Sequence, residues 1–86
     1  MPEISRFFGI IIAMFYDDHH PPHFHARYGE YKVAINIEDF SVLDGSLPPR
    51  ALGLVTEWAA LHKDELMQNW EAANKKESLR SIEPLK

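Results

Sequence analysis

Cysteine is absent from the 86 residues, so neither disulfides nor thiolate metal ligands can hold the chain together. A basic surplus is absent too. Nine Lys and Arg stand against 13 Asp and Glu, a formal charge of −4 with the histidines neutral, which leaves no broad cationic face for a nucleic-acid backbone. No apolar run is long: the longest, Phe7 to Tyr16, is ten residues, half of the ~20 that a membrane-crossing helix needs. Only Arg6 precedes that run as a basic residue, and the run ends in Asp17-Asp18-His19-His20 without a small-residue cleavage site, so a secretory leader is not expected and a cytoplasmic protein is. The four glycines are dispersed, which excludes a glycine-rich phosphate loop.

What the chain does have is enough apolar residues for a core. Leu, Ile, Val and Phe fill 23 of the 86 positions, above the level of ~20% below which chains tend to stay unfolded. A single small domain over residues 1–75 is expected, followed by an exposed tail over 76–86 that uses Leu79, Ile82 or Leu85 if it touches the body at all.

The run Phe7–Tyr16 is apolar at odd and even positions alike and rich in β-branched and aromatic residues, which predicts one strand buried on both faces. Asp17–Pro22 follows as a loop, since two successive prolines cannot sit in a paired ladder. From His23 the pattern alternates. With Gly29-Glu30 as a two-residue turn, glycine first as a type II′ turn requires, Tyr28 meets Tyr31, Ala26 meets Val33 and Phe24 meets Ile35. The opposite face then carries His23, His25 and Arg27 beside Asn36, Ala34 and Lys32, and the two histidines are expected to face solvent or a partner. Phe40–Leu43 is expected to return as a short strand.

Ser46-Leu47-Pro48-Pro49 opens a helix, because a proline in the first turn forfeits no intrahelical bond. Ala51, Val55, Trp58, Ala59, Leu66, Trp70 and Ala73 share one stripe of it, with His62 central as a core histidine, so one helix from Arg50 to about Asn74 is expected. The fold class that follows is α+β: a three- or four-stranded antiparallel sheet with one long C-terminal helix packed on one face. The other face is left apolar enough for a homodimer or a partner protein to cover.

Asp17 to His25 concentrates two carboxylates and four of the five histidines. His23 and His25, two apart on a strand, project from one face, a geometry that serves both a shared metal ion and a pair of acid–base groups. A zinc-type site needs a third protein ligand, from Asp17, His19 or His20. Zinc or a related transition ion on His23, His25 and His19 is therefore one reading. A second makes His23, His25 and Arg27 catalytic, with His20, Tyr28 and Lys32 as binding residues. The bland alternative is a rigid proline loop with histidines packed on aromatic rings.

Three segments, Met1 to Ile10, His20-Pro21-Pro22-His23-Phe24-His25-Ala26-Arg27-Tyr28-Gly29, and Ala51 to Ala59 with His62, Glu65-Leu66 and Trp70, resemble the bacterial family called domain of unknown function 4160. The resemblance implies a small stand-alone protein in a two-gene cassette of toxin–antitoxin type, partnered by a small protein encoded beside it. Leu47-Pro48-Pro49 before the helix also looks like the helix entry of small toxin ribonucleases, which implies a histidine-dependent attack on an RNA substrate; the charge of −4 speaks against that approach.

Overall fold

The computed structural model describes residues 2–86; Met1, where the expected domain and the resemblance both begin, lies outside the described residues. Five strands, β1 (Glu3–Phe7), β2 (Ile10–Ala13), β3 (His23–Tyr28), β4 (Tyr31–Asn36) and β5 (Val42–Gly45), precede two helices, α1 (Pro49–Leu61) and α2 (Lys63–Asn74). The strands form one antiparallel sheet in chain order.

The expected α+β class with an antiparallel sheet is what forms, but the sheet has five strands instead of three or four. The extra one comes from Phe7–Tyr16, which is no single strand. It reverses at Phe8-Gly9, so that Phe7 pairs with Ile10 across a two-residue turn. Both central residues take positive φ, 49° at Phe8 and 79° at Gly9, as a type I′ turn demands. The run hides its alternation because β2 is apolar on both faces: Ile10 and Ile12 point to the core, Ile11 and Ala13 to the other side of the sheet.

The second hairpin has the register that the alternation predicts: Tyr28 opposite Tyr31, Ala26 opposite Val33, Phe24 opposite Ile35 and His23 opposite Asn36. Gly29 supplies the positive φ, 58°, at the first turn position. Ile10, Ile12, Phe24, Ala26, Val33 and Ile35 point to one side and are buried there with Val55, Trp58, Leu66 and Trp70 of the helices. The Trp58 ring lies 5.4 Å from Phe7 and 5.9 Å from Phe24, centroid to centroid.

The single helix expected over Arg50–Asn74 is instead two. At His62 the backbone leaves the helical region (φ −124°, ψ 26°) and its N–H bonds to the Ala59 carbonyl three residues back; α2 then restarts with Leu66 N–H on the His62 carbonyl. The side chain of His62 lies at the rim of the core, 17% exposed, and its partner is a carboxylate. Its Nδ1 lies 2.6 Å from the Glu65 carboxylate, and its ring rests on Trp58. After α2, Lys76 at φ 58° turns the chain back, with Glu77 N–H on Ala72 O and Lys76 N–H on Ala73 O, the paired bonds of a Schellman ending. The last segment returns along the body: Asn69 holds the Arg80 backbone through both its N–H and its carbonyl, Ile82 is buried, its N–H on the Ile4 carbonyl, and Trp58 Nε1–H donates to Glu83 O.

Candidate metal centre

The connection between β2 and β3 carries the densest polar chemistry of the chain. Asp17 takes a left-handed φ of 59°, its N–H reaches Ala73 O on α2, and its carboxylate turns outward to Lys76 at 3.7 Å. The next residue therefore points the other way. Asp18 turns in over the start of β3 with only 16% of its side chain exposed, and its Oδ2 lies 2.9 Å from His23 Nε2 and 3.4 Å from His25 Nε2. One donor atom from each of Asp18, His23 and His25 falls within 4.8 Å of the other two.

The cluster is oriented from behind. Asp18 Oδ1 accepts the backbone N–H of His19 at 2.9 Å, with His19 Nδ1 at 3.1 Å, which leaves Oδ2 to face the two imidazoles. His23 Nδ1 lies 2.7 Å from the carbonyl of Pro21. A carbonyl can only accept, so Nδ1 carries the hydrogen and Nε2 is the nitrogen turned to Asp18. His25 is steadied by Phe15, whose ring meets it edge-on at 4.4 Å, and by His23 at 5.0 Å.

Burial pushes the Asp18 carboxyl up, but the His19 backbone N–H, the hydrogen bond to the His25 ring and the electrostatic influence of the neighbouring His23 and His19 outweigh it, so the group stays below its ordinary value and ionised. For His25 burial is the largest influence and pushes the imidazole down; the hydrogen bond to Asp18 opposes it, His23 adds to the lowering, and the result lies below the ordinary histidine value. The site is thus a carboxylate beside a neutral His25 imidazole near neutral pH, the ionisation states in which both ligate metals.

Of the residues singled out in the sequence, His23 and His25 come together as the alternation implied. The expectation that both face solvent needs correcting for His23, which is 5% exposed, because Trp70 of α2 lies across it at 5.3 Å. His19 touches the other oxygen of Asp18 and is itself exposed. His20 stands edge-on to Trp70 at 5.7 Å, and Asp17 faces Lys76. Arg27 and Lys32 share the face of His25, one row further along the sheet, whereas Tyr28 lies on the helix side, against Gly9. His62 has Trp58 and Glu65 as its partners. The residue missed was Asp18. Nothing in the pair Asp17-Asp18 marks which carboxylate turns inward; the left-handed backbone at Asp17 decides it.

Among the described residues no helix is long and apolar enough to cross a membrane. No curated protein and no solved structure matches the chain. The model of a family described as a domain of unknown function, DUF4160, matches residues 9–71, most of the chain and all of the Asp18–His25 cluster, and the chain belongs to that family.

Proposed function

We propose that this protein binds one divalent first-row transition ion, such as zinc, on Asp18 Oδ2, His23 Nε2 and His25 Nε2. The observation that carries the reading is the fixed tautomer of His23. With its hydrogen on Nδ1 toward Pro21 O, a neutral His23 presents a bare lone pair at 2.9 Å from a carboxylate oxygen. Two lone pairs at that distance repel in a buried site unless a positive centre lies between them, either a second proton or a cation. An ion about 2.0–2.1 Å from each ligand atom sets neighbouring ligand atoms about 3.3 Å apart in a tetrahedron, close to the 2.9 and 3.4 Å separations here. A ligating histidine that gives its other N–H to a backbone carbonyl, and a carboxylate whose second oxygen is held by an N–H, are the supports that metal ligands need.

Three protein ligands leave one or more positions on the ion for water or a small molecule, the arrangement of catalytic more than structural sites. A bound ion there would act as a Lewis acid or lower the pKa of its water. The toxin–antitoxin expectation rests on the family resemblance, and the metal reading on the geometry just described. Metal analysis of untagged protein after dialysis against zinc, with isothermal titration of Asp18→Asn and His23→Ala, tests it. About one equivalent bound by the wild type and a loss of at least tenfold in affinity in either variant is the expected result. Retention of less than a tenth of an equivalent, or equal binding by the variants, would overturn it.

A further inference from the structure

The sheet face turned away from the helices holds a cavity of about 310 Å³, at the small end of the ~300–1,000 Å³ typical of ligand sites. Two cross-strand rows build it: Ile11, Arg27 and Lys32 in one, and Ala13, His25, Ala34 and Asp44 in the next. Phe15 closes one end against His25.

Arg27 and Lys32 stand directly opposite each other. The Lys32 carbonyl bonds away from β3, to Ser46 N–H at 2.9 Å, so this is the kind of pair that lacks mutual backbone bonds and brings its side chains closest. Like charges so placed destabilise a hairpin. Among the described residues neither cation forms an ion pair. An anion between them removes the repulsion, and the planar fork of arginine suits a carboxylate. Asp44 limits the count: two cations and one carboxylate leave a single positive charge to neutralise.

We infer that this cavity binds a small monocarboxylate with an apolar body, its carboxylate between Arg27 and Lys32 and its body along Ile11 and Ala34 toward Phe15. Its far end then lies beside His25, which lines the cavity and also belongs to the metal cluster. The inference rests on the metal reading only in that last placement; the carboxylate seat stands on Arg27, Lys32 and the cavity itself.

Phenylacetate is a suitable probe, titrated into metal-free and into zinc-treated protein and followed by amide and imidazole NMR shifts. Saturable shifts at Arg27, Lys32 and Ala34 are expected in both forms, weakened at least tenfold in Arg27→Gln/Lys32→Gln and lost when Ala34→Leu fills the cavity. Phenethylamine, equal in shape and opposite in charge, should leave those signals still. Zinc binding without a phenylacetate response would overturn the carboxylate site and leave the metal reading intact. A phenylacetate response without zinc binding supports the site and removes the metal reading instead. Equal response to the amine would overturn the inference, as would shifts that follow protein concentration and not ligand, which would make a second copy the occupant of this face.

Discussion

His23 is aimed from one end of its ring: Nδ1 lies 2.7 Å from Pro21 O and Nε2 2.9 Å from Asp18 Oδ2. The Pro21 contact fixes the tautomer and Trp70 covers the ring at 5.3 Å, so a side chain at the first position of β3 is oriented toward the carboxylate before any ligand arrives. That is the preorganisation a metal site needs.

Removing this ring should cost stability as well as binding. His23→Ala vacates a space under Trp70 and frees Asp18, and a loss of about 1–3 kcal/mol is expected in urea unfolding of the metal-free protein. His25→Ala, 30% exposed in its side chain, should cost clearly less. Equal losses would show that burial under Trp70 does not distinguish the two.

The acid side of the stability curve should have two parts. The folded-state value of His25 is lowered, so as pH falls below the ordinary value of about 6.5 the unfolded chain takes up a proton that the folded one does not, and stability declines until the folded value is passed. Asp18 is also lowered; its contribution is present above the ordinary carboxyl value of about 3.9 and is lost as pH falls through the folded value. Urea midpoints measured in chelator at pH 8, 6 and 5 should drop, with a shallower drop in His25→Gln. An unchanged slope in that variant would assign the decline to other groups.

Gly45 has a role beyond its φ of 75°. A Cβ at this position would run into the carbonyl oxygen of Lys32, a backbone atom that cannot swing aside. Gly45→Ala should therefore push β5 off β4 and cost about 1–3 kcal/mol, readable as faster amide exchange at Ser46. Wild-type exchange there would contradict the close approach.

Ile82 is the anchor of the returning C-terminal segment, and Glu83 O accepts from Trp58 in the middle of the core. Ile82→Ala should cost about 2–4 kcal/mol and shift the Trp58 emission to the red as water reaches the indole. A variant with unchanged emission and midpoint would mean that the segment adds nothing to the fold.

How far the fold could be read in advance differs from element to element. The β3–β4 register was legible because the alternation of apolar and polar residues and the Gly29-Glu30 turn agree, and a slip by one residue would bury every polar side chain. The β1–β2 hairpin was not. Its turn places Phe8, a residue that seldom accepts positive φ, where Asn or Gly would announce a reversal, and the alternation is hidden because apolar residues sit on both faces of β2. The break at His62 carries neither Gly nor Pro. In the site, the partnership of His23 and His25 followed from strand periodicity, while Asp18 depends on a single backbone angle at Asp17 that local composition does not encode.

The irregularities in the pairing fall on the two outer strands. Ile4 is the unpaired extra residue of β1 between Glu3 and Ser5, and Leu43 that of β5 between Val42 and Asp44. A five-strand meander leaves both rims open to a sixth strand from another molecule, and an extra residue in each rim twists its row of N–H and C=O groups out of the flat repeat that such stacking copies. Ile82 N–H already occupies the carbonyl of Ile4. One extra residue at each rim thus works against growth of the sheet into fibres, and at β1 the returning C-terminal segment adds to it.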